Sequence, residues 1–247
     1  MHASIPQVSP ASVATGLPAH VRAASLPPAN DVVVAHPAWC DRLPLLDADA
    51  LFAAAGRVVL VAPRPGDGLA AAGGLLAAAA RHGLPVWAWV LTDDEPGHPR
   101  AGQARPWRTR LDAALDVLGV RSGGIERFRL PIDNLRAAPD ALADRLRRLL
   151  QPGDVVLAPD ATGADAAVAR ALAMAGSTTG CTRLGVLAAD GHATPTGIDH
   201  RALRRFELDA GLLARKRAAL QVSGGFRTTG AQAVAAGRPD VELLAAG

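Results

Sequence analysis

Apolar residues fall into short continuous runs, separated by longer stretches in which they recur every three or four positions. Residues 58–62, Val-Val-Leu-Val-Ala, carry β-branched side chains without alternation, the pattern of a strand buried on both faces. A Pro/Gly-rich turn over 63–68 follows, and residues 69–81 read as an Ala/Leu helix in which Gly73 and Gly74 allow close packing on a sheet. The pattern predicts a second strand over 86–91, a long polar loop over 92–106 and a helix over 107–118 ended by Gly119. A third strand is predicted over 127–130, closed by Pro131, then a helix over 139–150. A fourth strand over 154–158 stops at Pro159, and a helix over 164–175, a fifth strand over 184–189 and a last helix over 208–221 complete the series. Strands alternating with helices imply an α/β fold, a three-layer α/β/α sandwich with a mostly parallel, Rossmann-like sheet. In such sheets ligands bind beyond the C-terminal strand ends. The loops after Ala62, Leu91, Leu130 and Ala158 are therefore the places to look for chemistry.

Residues 1–30 are rich in Pro, Ala and Ser and show no period, which predicts a flexible N-terminal tail ahead of a single domain over 31–247. Two cysteines, Cys40 and Cys181, do not make a disulfide framework and suit thiols in a reducing cytoplasm. The net charge is +3, but the arginines lie in helices beside Asp and Glu, and four Trp, four Phe and no Tyr offer little for base stacking. A solvated helix face accounts for Arg145-Leu146-Arg147-Arg148, and no nucleic-acid partner is expected. No apolar run reaches the length of a membrane span, and no continuous apolar segment marks an export signal. A cytoplasmic location without membrane association is the expectation.

The loop after the first strand reads Ala62-Pro63-Arg64-Pro65-Gly66-Asp67-Gly68, then Leu69 and Gly73-Gly74. After the second strand come Leu91-Thr92-Asp93-Asp94-Glu95 and His98-Pro99, and after the third Leu130-Pro131-Ile132-Asp133. Val156-Leu157-Ala158-Pro159 precedes Thr162-Gly163-Ala164-Asp165-Ala166, and Lys216-Arg217-Ala218-Ala219-Leu220 lies near the C-terminus. In this order the segments resemble the LmbE-like/PIG-L family of zinc N-deacetylases, over roughly residues 40–225. The resemblance implies that family's fold. It also implies that Arg64 stands where the family has a zinc-binding His, Gly66 where it has the general-base Asp, Asp67 where it has a second zinc ligand, and Gly68 where it has Glu. The second motif, which supplies a further zinc His in the family, has no His here, and Asp165 is the nearest candidate for that position.

These departures bear on chemistry. Amide hydrolysis of the family's kind needs a Lewis acid and a water activated by metal and base. A catalytic zinc normally takes three protein ligands plus water. A guanidinium stays protonated and has no lone pair to give a metal, and glycine accepts no proton. No confident catalytic residue remains, no zinc is expected, and Asp67 and Asp165 are at most relict ligands. The leading expectation is a catalytically degenerate member of the family that keeps a cleft for a polar, sugar-like ligand, lined by Arg64, Asp67, Asp93, Asp94, His98, Trp107, Asp133 and Asp165. Two alternatives stay open. One is an active metal-dependent N-deacetylase of N-acetylated sugar conjugates, with zinc in a site rebuilt from Asp67, Asp165, His98 and the acidic cluster at 93–95. The other is a scaffold or regulatory partner that uses surface rather than cleft. One geometric expectation is sharper. Arg64 and Asp67, three residues apart across Pro65-Gly66, are expected to pair at the vacated metal position, with Asp165 as a further partner.

Overall fold

The computed structural model describes residues 40–93, 104–120, 123–131, 135, 137–159, 166–187, 201–223 and 240–246. Asp94, His98, Asp133, Asp165 and the tail expected over 1–30 lie outside them. Among the described residues a seven-stranded sheet runs in the order β3-β2-β1-β4-β5-β7-β6. The strands are β1 (Arg57–Ala62), β2 (Val86–Val90), β3 (Gly123–Arg127), β4 (Asp154–Pro159), β5 (Thr182–Leu187), β6 (Leu203–Glu207) and β7 (Val241–Ala246). The helices are α1 (Ala48–Ala53), α2 (Leu69–Arg81), α3 (Ala104–Leu118), α4 (Pro139–Leu149), α5 (Ala166–Thr179) and α6 (Ala210–Val222).

The three layers follow from the alternation of side chains along each buried strand. In β1, Val58 and Leu60 join a core under α2, α3 and α6, while Val59 and Val61 join the opposite core under α4 and α5. From β3 to β5 all neighbouring strands pair parallel. β1 sits between β2 and β4, so the strand order turns there, and the region beyond the C-terminal ends of these strands is where open α/β sheets bind their ligands. The fold expected from the sequence is the one observed.

The differences are local. β6 and β7 were not foreseen; they add an antiparallel end to the sheet, with β7 slotted between β5 and β6. The predicted third strand at 127–130 is displaced, for β3 is Gly123–Arg127. Its two glycines and two charged residues suit an edge strand rather than a buried run, and it lies at the sheet edge. Phe128 and Leu130 still donate their N–H groups to Val90 O (2.9 Å) and Leu91 O (2.8 Å), but Arg129, at φ 54°, breaks the regular ladder. α3 starts at Ala104 rather than 107 because Pro106 falls in the first turn, where its missing N–H costs nothing. α6 starts after Asp209, whose carboxylate accepts the Leu212 N–H at 2.8 Å. No helix among the described residues is long and apolar enough to cross a membrane.

Candidate functional site

The mouth at the C-terminal ends of these strands is shaped by the turn that leaves β1. Pro63 fixes its start, and both the N–H (3.0 Å) and the hydroxyl (2.9 Å) of Thr92, at the end of β2, donate to Pro63 O. Arg64 then folds back on Asp67. Its Nε donates to Asp67 Oδ2 at 3.0 Å, and its backbone N–H donates to the same oxygen at 3.0 Å. The turn closes with the Asp67 N–H on Arg64 O at 3.1 Å. The Asp67 side chain is 8% exposed and that of Arg64 20%. The expected pairing of these two residues is therefore present. Asp67 closes the Arg64 turn, and the N-cap of α2 is Gly68.

Both glycines of the turn hold left-handed backbone, Gly66 at φ 84° and Gly68 at φ 88°. This conformation costs an L-residue roughly 1–2 kcal/mol. At Gly68 space is lacking as well, since a Cβ would lie 2.7 Å from Leu60 Cδ1. The loop backbone is fitted to glycine at the two positions where the resemblance places acids.

A second charged pair stands beside the first. Asp93, just past β2, receives a two-pronged contact from Arg127 at the end of β3, with Nε on Oδ1 at 3.1 Å and Nη2 on Oδ2 at 2.6 Å. The Arg127 guanidinium also lies 5.2 Å from the centroid of the Trp107 ring. Trp107 itself is fully buried in the α2–α3 core. The expectation that it lines an open cleft is corrected here, because its side chain has no exposed surface and is packed among the α2, α3 and sheet residues of this core. Its Nε1 is a buried donor with no hydrogen-bond partner among the described residues.

Arg64, Asp67 and Asp93 thus come together at the C-terminal end of the sheet, with Arg127 as an addition the sequence reading missed. Asp94, Glu95, His98, Asp133 and Asp165 lie outside the described residues. Whether the described groups suit zinc can be judged from their chemistry. No group of three His, Cys, Asp or Glu side chains converges among them, and the two carboxylates at the mouth are each held by an arginine. A fixed cation on each carboxylate opposes a dication there. The described residues do not fit the metal. Cys40 offers no substitute, for burial, aided by Asp41, pushes its thiol up to about 11, where it stays protonated at neutral pH.

Two further carboxylates are buried away from the mouth. Asp154, at the start of β4, takes Arg57 Nε at 2.7 Å and Nη2 at 2.8 Å, at the N-terminal end of the strands, opposite the mouth. Glu242 of β7 meets Lys216 Nζ of α6 at 2.8 Å, and both side chains are almost wholly buried. Position 216 belongs to the motif quoted from the sequence, but nothing in the sequence pointed to its partner.

No family model matches the sequence, and no curated protein matches it. Solved structures do share the fold. The conserved protein TT1542 from Thermus thermophilus is similar at a TM-score of 0.57 and 21% identity, over 76% of this chain and 93% of that one. The zinc-inhibited form of the teicoplanin deacetylase Orf2 is similar at a TM-score of 0.52 and 15% identity, over 68% of this chain and 84% of that one. The N,N'-diacetylchitobiose deacetylase from Pyrococcus horikoshii, complexed with its inhibitor MPG, gives a TM-score of 0.51 at 17% identity, over 74% of this chain and 75% of that one. At such identities the likeness establishes the fold, and function has to be argued from the site.

Proposed function

We propose that this chain is a zinc-free, non-hydrolytic member of the LmbE-like/PIG-L deacetylase family that retains a polar mouth for a sugar-like ligand. The observation that carries the reading is the Arg64 Nε, 3.0 Å from Asp67 Oδ2 at the end of β1. A guanidinium occupies the place where the family's pattern puts a zinc-binding imidazole, and it holds the carboxylate that would be the next ligand. The neighbouring base position is Gly66, in left-handed backbone that an aspartate would adopt only with strain. Metal-assisted attack of water on an amide has neither its Lewis acid nor its base in this turn. What the mouth does offer is two arginine–carboxylate pairs with polar rims, which suit hydroxyl and amide groups of a carbohydrate.

A second reading, an active N-deacetylase, draws on the solved deacetylases that share the fold. Amine release separates the two. The purified chain, with and without added zinc, is to be incubated with N,N'-diacetylchitobiose and with an N-acetylglucosamine conjugate. The expected result is no release above the protein-free blank. Losing base and metal together forfeits most of the roughly 10⁶-fold acceleration typical of enzymes. Zinc-dependent turnover that disappears in Asp67→Ala would establish the second reading. For the retained mouth, amino sugars are expected to raise the melting temperature by mass action, and Asp93→Ala to abolish the rise.

A further inference from the structure

Glu242 does more than neutralise Lys216. Its Oε1 accepts the backbone N–H of Gly74 at 2.6 Å and its Oε2 that of Leu75 at 2.8 Å. Both amides lie well inside α2 (Leu69–Arg81), where an uninterrupted helix would direct them at the carbonyls of residues 70 and 71. A strand carboxylate thus enters the flank of the helix and takes two consecutive amides and one ammonium, all buried. The glycine pair explains how it gets so close. A Cβ on Gly74 would lie 2.2 Å from Leu208 Cδ2 and 3.0 Å from Glu242 Oε1, and one on Gly73 would lie 3.3 Å from Lys216 Cγ. Gly73-Gly74 is a seat for the carboxylate and its lysine, rather than a means of packing α2 on the sheet alone.

From this geometry we infer that Glu242 is the positioning residue of the mouth: by gripping α2 from β7 it fixes the helix N-terminus, and with it the Arg64–Asp67 turn. The link is short and stiff. Gly68, the N-cap of α2, directly follows Asp67, Leu69 donates its N–H back to Gly66 O at 3.3 Å, and Ala72 donates to Gly68 O at 2.7 Å. A helix held at Gly74 and Leu75 cannot slide along the sheet without dragging this turn. The grip comes from the last strand of the chain, so the mouth is set only when β7 has entered between β5 and β6. The inference holds whichever ligand the mouth takes.

Hydrogen exchange resolved by residue tests it, on the full chain, with Glu242→Gln compared against Asp154→Asn. Each change removes one buried carboxylate from a cation, but Asp154 lies at the N-terminal end of β4, the end of the parallel strands opposite the mouth. The expected result in Glu242→Gln is exchange about tenfold faster at Gly74, at Leu75 and through the turn at 64–69, under conditions where the protein stays folded. In Asp154→Asn the same amides should keep their protection. If Glu242→Gln alone fails to fold, the pair Lys216→Met/Glu242→Gln, which leaves no buried charge unpaired, is read by the same criterion. Unchanged protection at 64–69, or equal loosening of that turn by Asp154→Asn, overturns the inference.

Discussion

Two of the described cation–carboxylate pairs are nearly equal in length and opposite in character. Arg64 and Asp67 meet at 3.0 Å within one turn at the rim of the sheet, and Lys216 and Glu242 meet at 2.8 Å between two elements in the core. The first pair keeps contact with water through Arg64, and its carboxylate holds a backbone N–H that survives loss of the guanidinium. The second has almost no access to water, and its carboxylate holds together a helix, a second helix and a strand. Charge pairing near solvent is worth little, whereas an ionised group stranded in the core is costly. The core pair ties two helices to a strand, whereas the mouth pair closes a single turn.

The largest effect should come from stranding the core carboxylate. Lys216→Met is expected to lower unfolding stability by about 3–5 kcal/mol in urea titration, because Glu242 is left charged without its partner. The double change Lys216→Met/Glu242→Gln should cost clearly less than the two single losses summed. Next come the glycines of the seat. Gly74→Ala should lose about 1–3 kcal/mol by overpacking. Gly73→Ala should lose much less, since the flexible Lys216 stem can give by a few tenths of an ångström. Equal losses at the two positions would mean that the carboxylate seat is misread.

At the mouth, Arg64→Ala is expected to cost only about 1 kcal/mol, the worth of a part-exposed hydrogen-bonded pair. A loss as large as that of Lys216→Met would erase the contrast between the regions. The smallest effect belongs to Asp209, whose carboxyl is held below the ordinary range chiefly by the Arg81 hydrogen bond and then by the Leu212 N–H. A lowered pKa contributes stability above the group's unfolded value and loses it as pH falls through the folded one. The small stability difference between wild type and Asp209→Asn, followed by thermal melts, should accordingly vanish on acidification into that range.

The same contrast explains what the sequence revealed. The inner strands β1 and β4 were legible because they carry short continuous apolar runs rich in valine, as in 58–62, buried on both faces. The Arg64–Asp67 pair was legible because it is local, spanning three residues across a turn. Glu242 was not, since its partners at Gly74, Leu75 and Lys216 are distant in sequence and come together only through the fold. β3 was displaced and β6 missed for a related reason. As edge strands they carry charges or glycines, as in Gly123–Arg127 and Leu203–Glu207, which blur the apolar signal. Trp107 was misplaced because its place at a helix start does not tell which side of the helix meets the sheet, which the packing of α3 decides.

On the proposed reading, the Arg64 guanidinium stands in the metal's place at the end of β1. The most direct measurement is the zinc content of the chain, purified without chelator and then equilibrated with excess zinc before desalting. The account predicts only trace metal, far below stoichiometry, with Arg64→His raising it where Arg64→Lys does not. About one tightly held zinc per wild-type chain, the stoichiometry of a genuine protein site, would contradict it.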